Sequence, residues 1–269
     1  NRRRQPEHAS EPLTEMTIAT PRMVHLTETT STNADALRLA LAGEALPLWV
    51  SADRQTAGRG RAGRTWISEP GNLHASLAVL IEAPLQQAGE LSLVAGVALF
   101  DAIGAATSLG SHAPMRLKWP NDVLIAAAKV GGILVETATA RGKSGYIAVL
   151  GFGVNVAKRP GTLAAKAMAL ADISVNSITP SPSSLLEALV EQCSLWLAQW
   201  DAGRNFATIR NAWMERAGPI GETVTVNTTA GRRSATYQGL ASNGALLVDI
   251  DGRQETIGYG DVSLVTRAD

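Results

Sequence analysis

The sequence holds few of the side chains from which disulfides, zinc clusters and reactive thiols are built. Cys193 is its only cysteine, which excludes a disulfide within the chain and a cysteine-based zinc cluster, and is typical of a reducing cytosol. The four histidines are scattered without the H-E-x-x-H spacing of a metal site, so we expect structural or surface positions for them. We therefore predict a cytoplasmic protein whose own side chains form no metal site.

The sequence also lacks an excess charge and a long apolar run. Lys plus Arg and Asp plus Glu both number 24, so a general nucleic-acid-binding surface is not expected. No apolar run approaches the roughly 18 residues that cross a membrane, and the N-terminus has no hydrophobic signal core. We predict a disordered tail over residues 1–22 and no membrane partner.

What the sequence does contain is enough apolar residues for a sizeable core, at 45% of 269 residues. Strand-like and helical segments alternate over residues 23–217, which predicts an α/β (α+β) domain, a mixed sheet with flanking helices. Over residues 218–269, short strands separated by turns such as Asn243-Gly244 predict a small antiparallel β-barrel. Cys193 recurs with leucines and tryptophans at helical spacing, so we place it in the core.

The segment RQTAGRGRAGRTW, residues 54–66, is here named the arginine loop. Its arginines are Arg54, Arg59, Arg61 and Arg64, with no acidic residue among them. Like charges this close repel one another, so the segment is either a solvated loop or a receptor for an anion. Its glycines imitate a dinucleotide-binding motif and, less well, a P-loop. Both motifs need a helix directly afterwards, which Pro70-Gly71 would break, so we reject both.

Four segments in this order resemble the biotin protein ligase family. They are TSTN (30–33), the arginine loop, LKWPNDVL with KVGGILVE (117–136), and GFGVNV (151–156). The resemblance covers roughly residues 24–156, and the C-terminal strands resemble the Src-homology-3-like domain of the same family. It implies a sheet similar to the catalytic domain of class II aminoacyl-tRNA synthetases.

The resemblance implies an adenylate-forming ligase that uses biotin, ATP and Mg²⁺. Biotin attacks the α-phosphate of ATP to give biotinyl-5′-AMP, and a lysine of the biotin carboxyl carrier protein of acetyl-CoA carboxylase then receives the biotin. The expected partner is this carrier, without nucleic acid or membrane, and the chain is expected to be a monomer or weak homodimer. The arginine loop suits this chemistry, because guanidinium and backbone N–H groups stabilise negative charge developing on a phosphate.

Site residues follow from the resemblance, position by position. Catalytic roles fall to Lys129 beside the carboxylate and α-phosphate, to Arg61, and to Asp122 as acceptor of a proton from the incoming lysine. The implied contacts with biotin or nucleotide are Ser31, Thr32, Asn33, Gln55, Arg59, Gly60, Arg61, Trp66, Asn121, Lys129 and Asn155. Trp66 and Trp119 are expected to wall the adenine or the loop, and His74 is given no role.

Structural alternatives stay open for several of these residues. TSTN also suits a helix N-cap, PND suits an Asx-turn, and Lys129 suits an exposed turn. The stretch AAAK stands where a Gly or Asn would make a tight hairpin, so we expect a longer or irregular connection there.

Two functional alternatives also stay open. A lipoate–protein ligase shares the fold and chemistry but differs in the arginine loop. A biotin-sensing DNA-binding repressor carries an N-terminal winged helix-turn-helix of around sixty residues. Only about 22 residues precede the first strand-like segment, so a ligase without repressor function is expected.

Overall fold

The computed structural model describes residues 21–107, 114–140, 142, 144–161, 166–173, 179–228, 231–258 and 261–264. The predicted disordered tail falls on residues 1–22, of which residues 1–20 lie outside this range.

A seven-stranded mixed sheet lies at the centre of the larger part of the chain. In spatial order its strands are β1 (Arg22–Thr29), β2 (Leu48–Gln55), β3 (Leu73–Ile81), β7 (Tyr146–Val154), β6 (Ala128–Thr139), β5 (Asp122–Ile125) and β4 (Met115–Lys118). Strands β1 and β2 are parallel, and the other neighbours are antiparallel. The predicted mixed sheet is confirmed.

Helices cover both faces of this sheet. They are α1 (Thr32–Leu41), α2 (Leu91–Thr107), α3 (Pro182–Trp200) and α4 (Phe206–Glu215). Helix α1 packs on one face, where Ala36 meets Val149 and its neighbours, while Leu150 and Phe152 join the core under the other helices. Side chains along a strand alternate between the two faces of the sheet, so consecutive residues of β7 pack into different hydrophobic cores. Cys193 of α3 is buried as predicted, and burial raises the pKa of its thiol.

Helix α2 is a long apolar helix that is buried on most sides. With the preceding 3₁₀ turn it forms a segment, Leu85–Thr107, that is long and apolar enough to cross a membrane. More than half of that segment's apolar window is buried inside the protein. Leu99 and Ile103 have no exposed surface, and α2 packs against α3, α4 and the sheet. Burial on most sides explains the apolar composition of this helix.

The C-terminal unit is a five-stranded antiparallel sheet. Its strands are β8 (Thr223–Thr228), β9 (Gly231–Leu240), β10 (Leu246–Ile250), β11 (Arg253–Ile257) and β12 (Asp261–Leu264), in the order β11-β10-β9-β8-β12. Strand β12 is not among the strands predicted from the sequence. The turn at Asp251-Gly252 is a two-residue hairpin in which both residues have positive φ, as the dipeptide predicts.

Candidate active site

A cavity of about 730 Å³ lies against the large sheet at the N-terminus of α1. Its floor includes Gly132, Gly151 and Gly153 on β6 and β7. A Cβ atom at Gly151 would collide with the Asn33 side chain, and one at Gly153 would collide with the Trp66 indole. The floor is open because these strand positions carry no side chain.

All of the residues predicted to bind or react line this one cavity. They are Ser31, Thr32, Asn33, Gln55, Arg59, Gly60, Arg61, Trp66, Asn121, Asp122, Lys129 and Asn155. These residues come from α1, β2, the arginine loop, the β4–β5 turn and the strands β5, β6 and β7, so only the tertiary fold brings them together.

The end of the cavity nearest α1 is a network of neutral polar groups. The backbone N–H and the hydroxyl of Thr32 donate to Oε1 of Gln55 at 2.9 and 3.1 Å. The Ser76 hydroxyl lies 2.7 Å from Oγ1 of Thr32 and 2.6 Å from Oδ1 of Asn33. Ser31 stands at the N-cap position but makes no side-chain cap bond. Its hydroxyl is therefore not used as the helix cap that TSTN also allowed.

Glu136 extends this network and was missed from the sequence. Its Oε2 accepts from Nδ2 of Asn33 at 2.7 Å and from Nη2 of Arg59 at 3.1 Å. Glu136 lies two and four residues beyond the cavity residues Leu134 and Gly132 on β6. Residues two apart share a strand face, so the two-residue period of β6 could have identified Glu136 as a neighbour of the cavity.

The arginine loop folds back on itself above the cavity. Gly60 N–H donates to the carbonyl of Arg64 at 2.6 Å, and Trp66 N–H donates to the carbonyl of Gly58 at 2.9 Å. Residues 66–69 after the loop are not helical, which confirms the rejection of both nucleotide motifs. Arg59, Arg61 and Arg64 line the cavity, whereas Arg54 pairs with Glu28 at 2.9 Å. Three of the four arginines thus face the space where an anion would bind.

Two lysines hold the Asp122 carboxylate. Lys129 Nζ lies 2.6 Å from Oδ1, and Lys118 Nζ lies 2.7 Å from Oδ2. Burial raises the pKa of this carboxyl, but the two ammonium groups outweigh burial and hold the pKa below its usual value. Lys129 also lies over the Trp66 ring, 5.4 Å from its centroid. Lys118 lines the cavity and was not predicted, although it belongs to the quoted KWPND segment.

The connection before Lys129 is not longer than a tight turn, but the hairpin around it is irregular, which was the other expected form. Strands β5 and β6 are joined by only Ala126 and Ala127, which adopt φ of 47° and 66°. This left-handed conformation costs a non-glycine residue roughly 1–2 kcal/mol. The irregularity lies instead in the ladder, where the register shifts between Val123 and Leu124. Lys129 is then held by backbone bonds to residues 166 and 168.

Within the described ranges, two of the cavity residues carry buried polar atoms without hydrogen-bond partners. Oδ1 of Asn155 and Nε1 of Trp66 have no hydrogen-bond partner within the part of the chain that the structure describes. Such orphaned groups are rare unless water or a ligand satisfies them. Asn121 is anchored to β6 by its Nδ2, which donates to the Ile133 carbonyl at 2.7 Å.

Trp119 does not wall this cavity. It is 5% exposed, and its Nε1 donates to the carbonyl of Gly244 in the β9–β10 turn at 3.1 Å. Trp119 is not among the residues that line the cavity, so the structure does not support its expected role as a wall of the adenine or the loop.

The cavity is strongly cationic. Its lining holds Arg59, Arg61, Arg64, Lys118, Lys129, Lys166 and Arg232, while Asp122 is the one carboxylate among the lining residues. The low dielectric of a concave site strengthens the attraction for a polyanion such as a nucleotide. Lys166 and Arg232 stand in sequence contexts without any binding motif, so no local pattern could have identified them.

Comparison with known proteins agrees with this site. Residues 24–155 match the model of the Biotin/lipoate A/B protein ligase family, and residues 220–265 match the biotin protein ligase C-terminal domain. A biotin–[acetyl-CoA-carboxylase] ligase of Paracoccus denitrificans is 39% identical, over 83% of this chain and 92% of that protein. One of Mycobacterium tuberculosis is 33% identical, over 87% of this chain and 86% of that protein.

A solved structure shows the same architecture. The biotin protein ligase of Aquifex aeolicus, determined in complex with biotin and ATP, superposes with a TM-score of 0.73 at 27% identity. The match covers 91% of this chain and 98% of that chain. The chain described here thus belongs to the biotin/lipoate A/B protein ligase family, among its biotin protein ligases.

Proposed function

We propose that this protein activates biotin with ATP to biotinyl-5′-AMP and transfers the biotin to one lysine of the biotin carboxyl carrier protein of acetyl-CoA carboxylase. One observation carries the proposal: a single cavity joins a neutral polar end to a strongly cationic end. Biotin has a neutral ureido head and an anionic carboxylate, and ATP adds a polyphosphate. The two ends of the cavity match this order of charge.

The ureido head is placed at the polar end, where it needs both donors and acceptors. Ser31, Thr32 and Gln55 supply hydroxyl and amide groups there, and all three line the cavity. The tail of biotin then runs over the open glycine floor, towards the ammonium group of Lys129.

Adenylation takes place at the cationic end. A carboxylate oxygen of biotin forms a bond to the α-phosphorus, and pyrophosphate leaves with the electrons of the broken P–O bond. Lys129 neutralises the two anions as they approach, and Arg61 supplies donors to the charge that accumulates on the phosphate. Fixed donors of this kind each contribute roughly 10²- to 10³-fold to the rate.

In the transfer step, the nitrogen of the carrier lysine forms an amide bond to the biotinyl carbonyl carbon, and AMP leaves with the electrons of the broken C–O bond. The step needs a group that takes the proton of the attacking amine. We assign this role to Asp122, whose lowered pKa keeps the carboxylate ionised at neutral pH. Both of its oxygens are paired with lysines, so Lys129 must first turn to the substrate and free one of them. Lys118 then keeps the other oxygen in place.

Mg²⁺ is proposed to enter with ATP as part of the substrate. In the described portion of the chain, no group of three or more His, Cys, Asp or Glu side chains could hold a metal. Mg²⁺ commonly keeps several waters and is held by substrate phosphates with one or two carboxylates. Asp122 is the carboxylate that lines this cavity, but both of its oxygens are paired with lysines, so we assign the coordination of Mg²⁺ to the phosphates and water.

A transfer assay tests the function directly. The protein is incubated with Mg²⁺, ATP and a biotin carboxyl carrier domain, with either biotin or lipoate, and the carrier is weighed by mass spectrometry. We expect one biotin on one lysine, none on a carrier with that lysine changed to arginine, and no lipoate. Transfer of lipoate without transfer of biotin would favour the lipoate–protein ligase alternative and overturn the proposal.

A further inference from the structure

Arg59 and Glu136 form an ion pair at the cavity that the proposed reaction does not use. Nη2 of Arg59 lies 3.1 Å from Oε2 of Glu136, although the resemblance implied that Arg59 contacts biotin or its adenylate. The same oxygen accepts from Nδ2 of Asn33 at 2.7 Å. One carboxylate oxygen therefore joins the arginine loop to the N-terminal turn of α1.

Asn33 gives Glu136 a rigid support. It is 5% exposed, its Oδ1 accepts from Ser76, and its Nδ2 also donates to the carbonyl of Leu134 at 3.2 Å. Both polar atoms of this side chain are engaged, by the buried Ser76 hydroxyl, the Leu134 carbonyl and the Glu136 carboxylate. The amide cannot rotate without breaking several hydrogen bonds, so it holds the Glu136 carboxylate in one orientation.

Other bonds tie the start of the loop to the end of β1, where Thr56 N–H donates to the Thr29 carbonyl at 2.8 Å and Arg54 pairs with Glu28. The bonds from Gly60 to Arg64 and from Trp66 to Gly58 stay within the loop and shape it, without holding it to the sheet. Arg61 also reaches across the cavity, to Oδ1 of Asn121, over a longer 3.4 Å. The Arg59–Glu136 contact is charged on both sides, and charge-assisted hydrogen bonds are the stronger class.

We propose that Glu136 is a positioning residue that latches the arginine loop over bound biotin through Arg59. The inference rests on the proposed function, since the latch matters only when the cavity holds biotin or its adenylate. The same carboxylate also orients Asn33, so it couples the polar end of the cavity to closure of the loop. Loss of the latch should speed the escape of ligand while leaving the reacting groups in place.

Limited trypsin digestion measures closure directly, because the loop itself carries the cleavage sites. Cleavage after Arg61 and Arg64 is followed by mass spectrometry, with and without biotin, in Glu136→Gln, Arg59→Gln and the double variant. Glu28→Gln is the matched control, since it removes the carboxylate from the exposed pair with Arg54 at the start of the loop. Thermal midpoints verify that each variant is folded.

We expect biotin to protect the loop in the parent and in Glu28→Gln. In Glu136→Gln, loop cleavage and biotin dissociation should each be about 1.5- to fivefold faster, as for loss of a partly exposed charge contact. Arg59→Gln should show the same increase, and the double variant should be no faster than either single one, because both changes remove one contact.

The outcomes separate the latch from the function. If the parent binds biotin and biotin protects the loop of Glu136→Gln from trypsin as well as it protects the parent loop, Glu136 does not latch the loop. The proposed function is not affected by that outcome. Additive effects in the double variant refute the latch as well, since the two residues would then act independently. If calorimetry finds no biotin binding to the parent, the proposed function fails and the latch fails with it.

Discussion

The substitution Gly153→Ala tests whether Trp66 is fixed where the structure places it. A Cβ at position 153 would lie within 2.8 Å of three atoms of the Trp66 indole, closer than real Cβ contacts. The Trp66 ring has little room to move away, because the backbone N–H of Trp66 donates to the Gly58 carbonyl and Lys129 lies over the face of the ring. Overpacking of this kind costs about 1–3 kcal/mol. For a protein of this size, that lowers the melting temperature by roughly 2–12 °C.

The same change should weaken ATP binding more than biotin binding. Trp66 is proposed to wall the adenine, while the ureido head is placed at the far polar end, near α1. We expect a higher KM for ATP in adenylation assays and a smaller rise in the Kd for biotin by calorimetry, since only the biotin tail is placed over the glycine floor. Gly89→Ala is the control, because a Cβ there would meet no atom within 4 Å.

An unchanged melting temperature and an unchanged KM for ATP in Gly153→Ala would refute this reasoning. The Trp66 ring would then have room to move, and its role as the adenine wall would be lost. A Kd for biotin that rises more than the KM for ATP would reverse the proposed placement of the two substrates.

Two further predictions concern retention of the adenylate and acid stability. Arg61→Gly should lose a charge-assisted contact of about 1.5–3 kcal/mol, so biotinyl-5′-AMP escapes roughly 10- to 150-fold faster and labels bystander proteins, whereas Lys129→Ala should slow pyrophosphate release itself. If Arg61→Gly retains biotinyl-5′-AMP as well as the parent does, the proposed contact of Arg61 with the adenylate is wrong. Burial lowers the pKa of His74, although an interaction with the Glu69 backbone partly opposes this shift. Below about pH 6.5 the unfolded chain therefore takes up a proton at His74 that the folded chain does not. Parent stability should therefore fall by up to about 1.4 kcal/mol per pH unit relative to His74→Leu, and equal slopes in urea titrations would exclude this effect.

Local signals in the sequence were sufficient to predict most elements. The alternating strand-like and helical segments of residues 23–217 predict the mixed sheet with its helices, and the Asp251-Gly252 dipeptide predicts the hairpin that the structure contains. Periodicity and turn chemistry act over a few residues, so a single chain reveals them. The same locality explains the errors. Residues 126–127 turn tightly without Gly or Asn, because pairing of β5 with β6 enforces a conformation that the residues themselves disfavour.

The candidate site was also accessible from the sequence, but only where a motif marked it. TSTN, the arginine loop, KWPND with Lys129, and the segment of Asn155 carry the family resemblance, and residues from each of them line the cavity. These sequence segments do not indicate which groups each of their side chains contacts in the folded protein. Arg59 meets Glu136, Trp119 meets the C-terminal sheet, and Asp122 meets two lysines.

By itself, the sequence determined the family, the chemistry of the arginine loop and the order of the elements, because each of these is written in contiguous residues. Only the tertiary structure decided the electrostatics of the cavity. Lys166 and Arg232 reach it from segments far apart in the chain and without a motif. Glu136 and Asn33 are separated by 103 residues, yet they share one hydrogen bond because β6 passes the N-terminus of α1. Contacts of this range depend on how the sheet is ordered, and no local pattern carries that information.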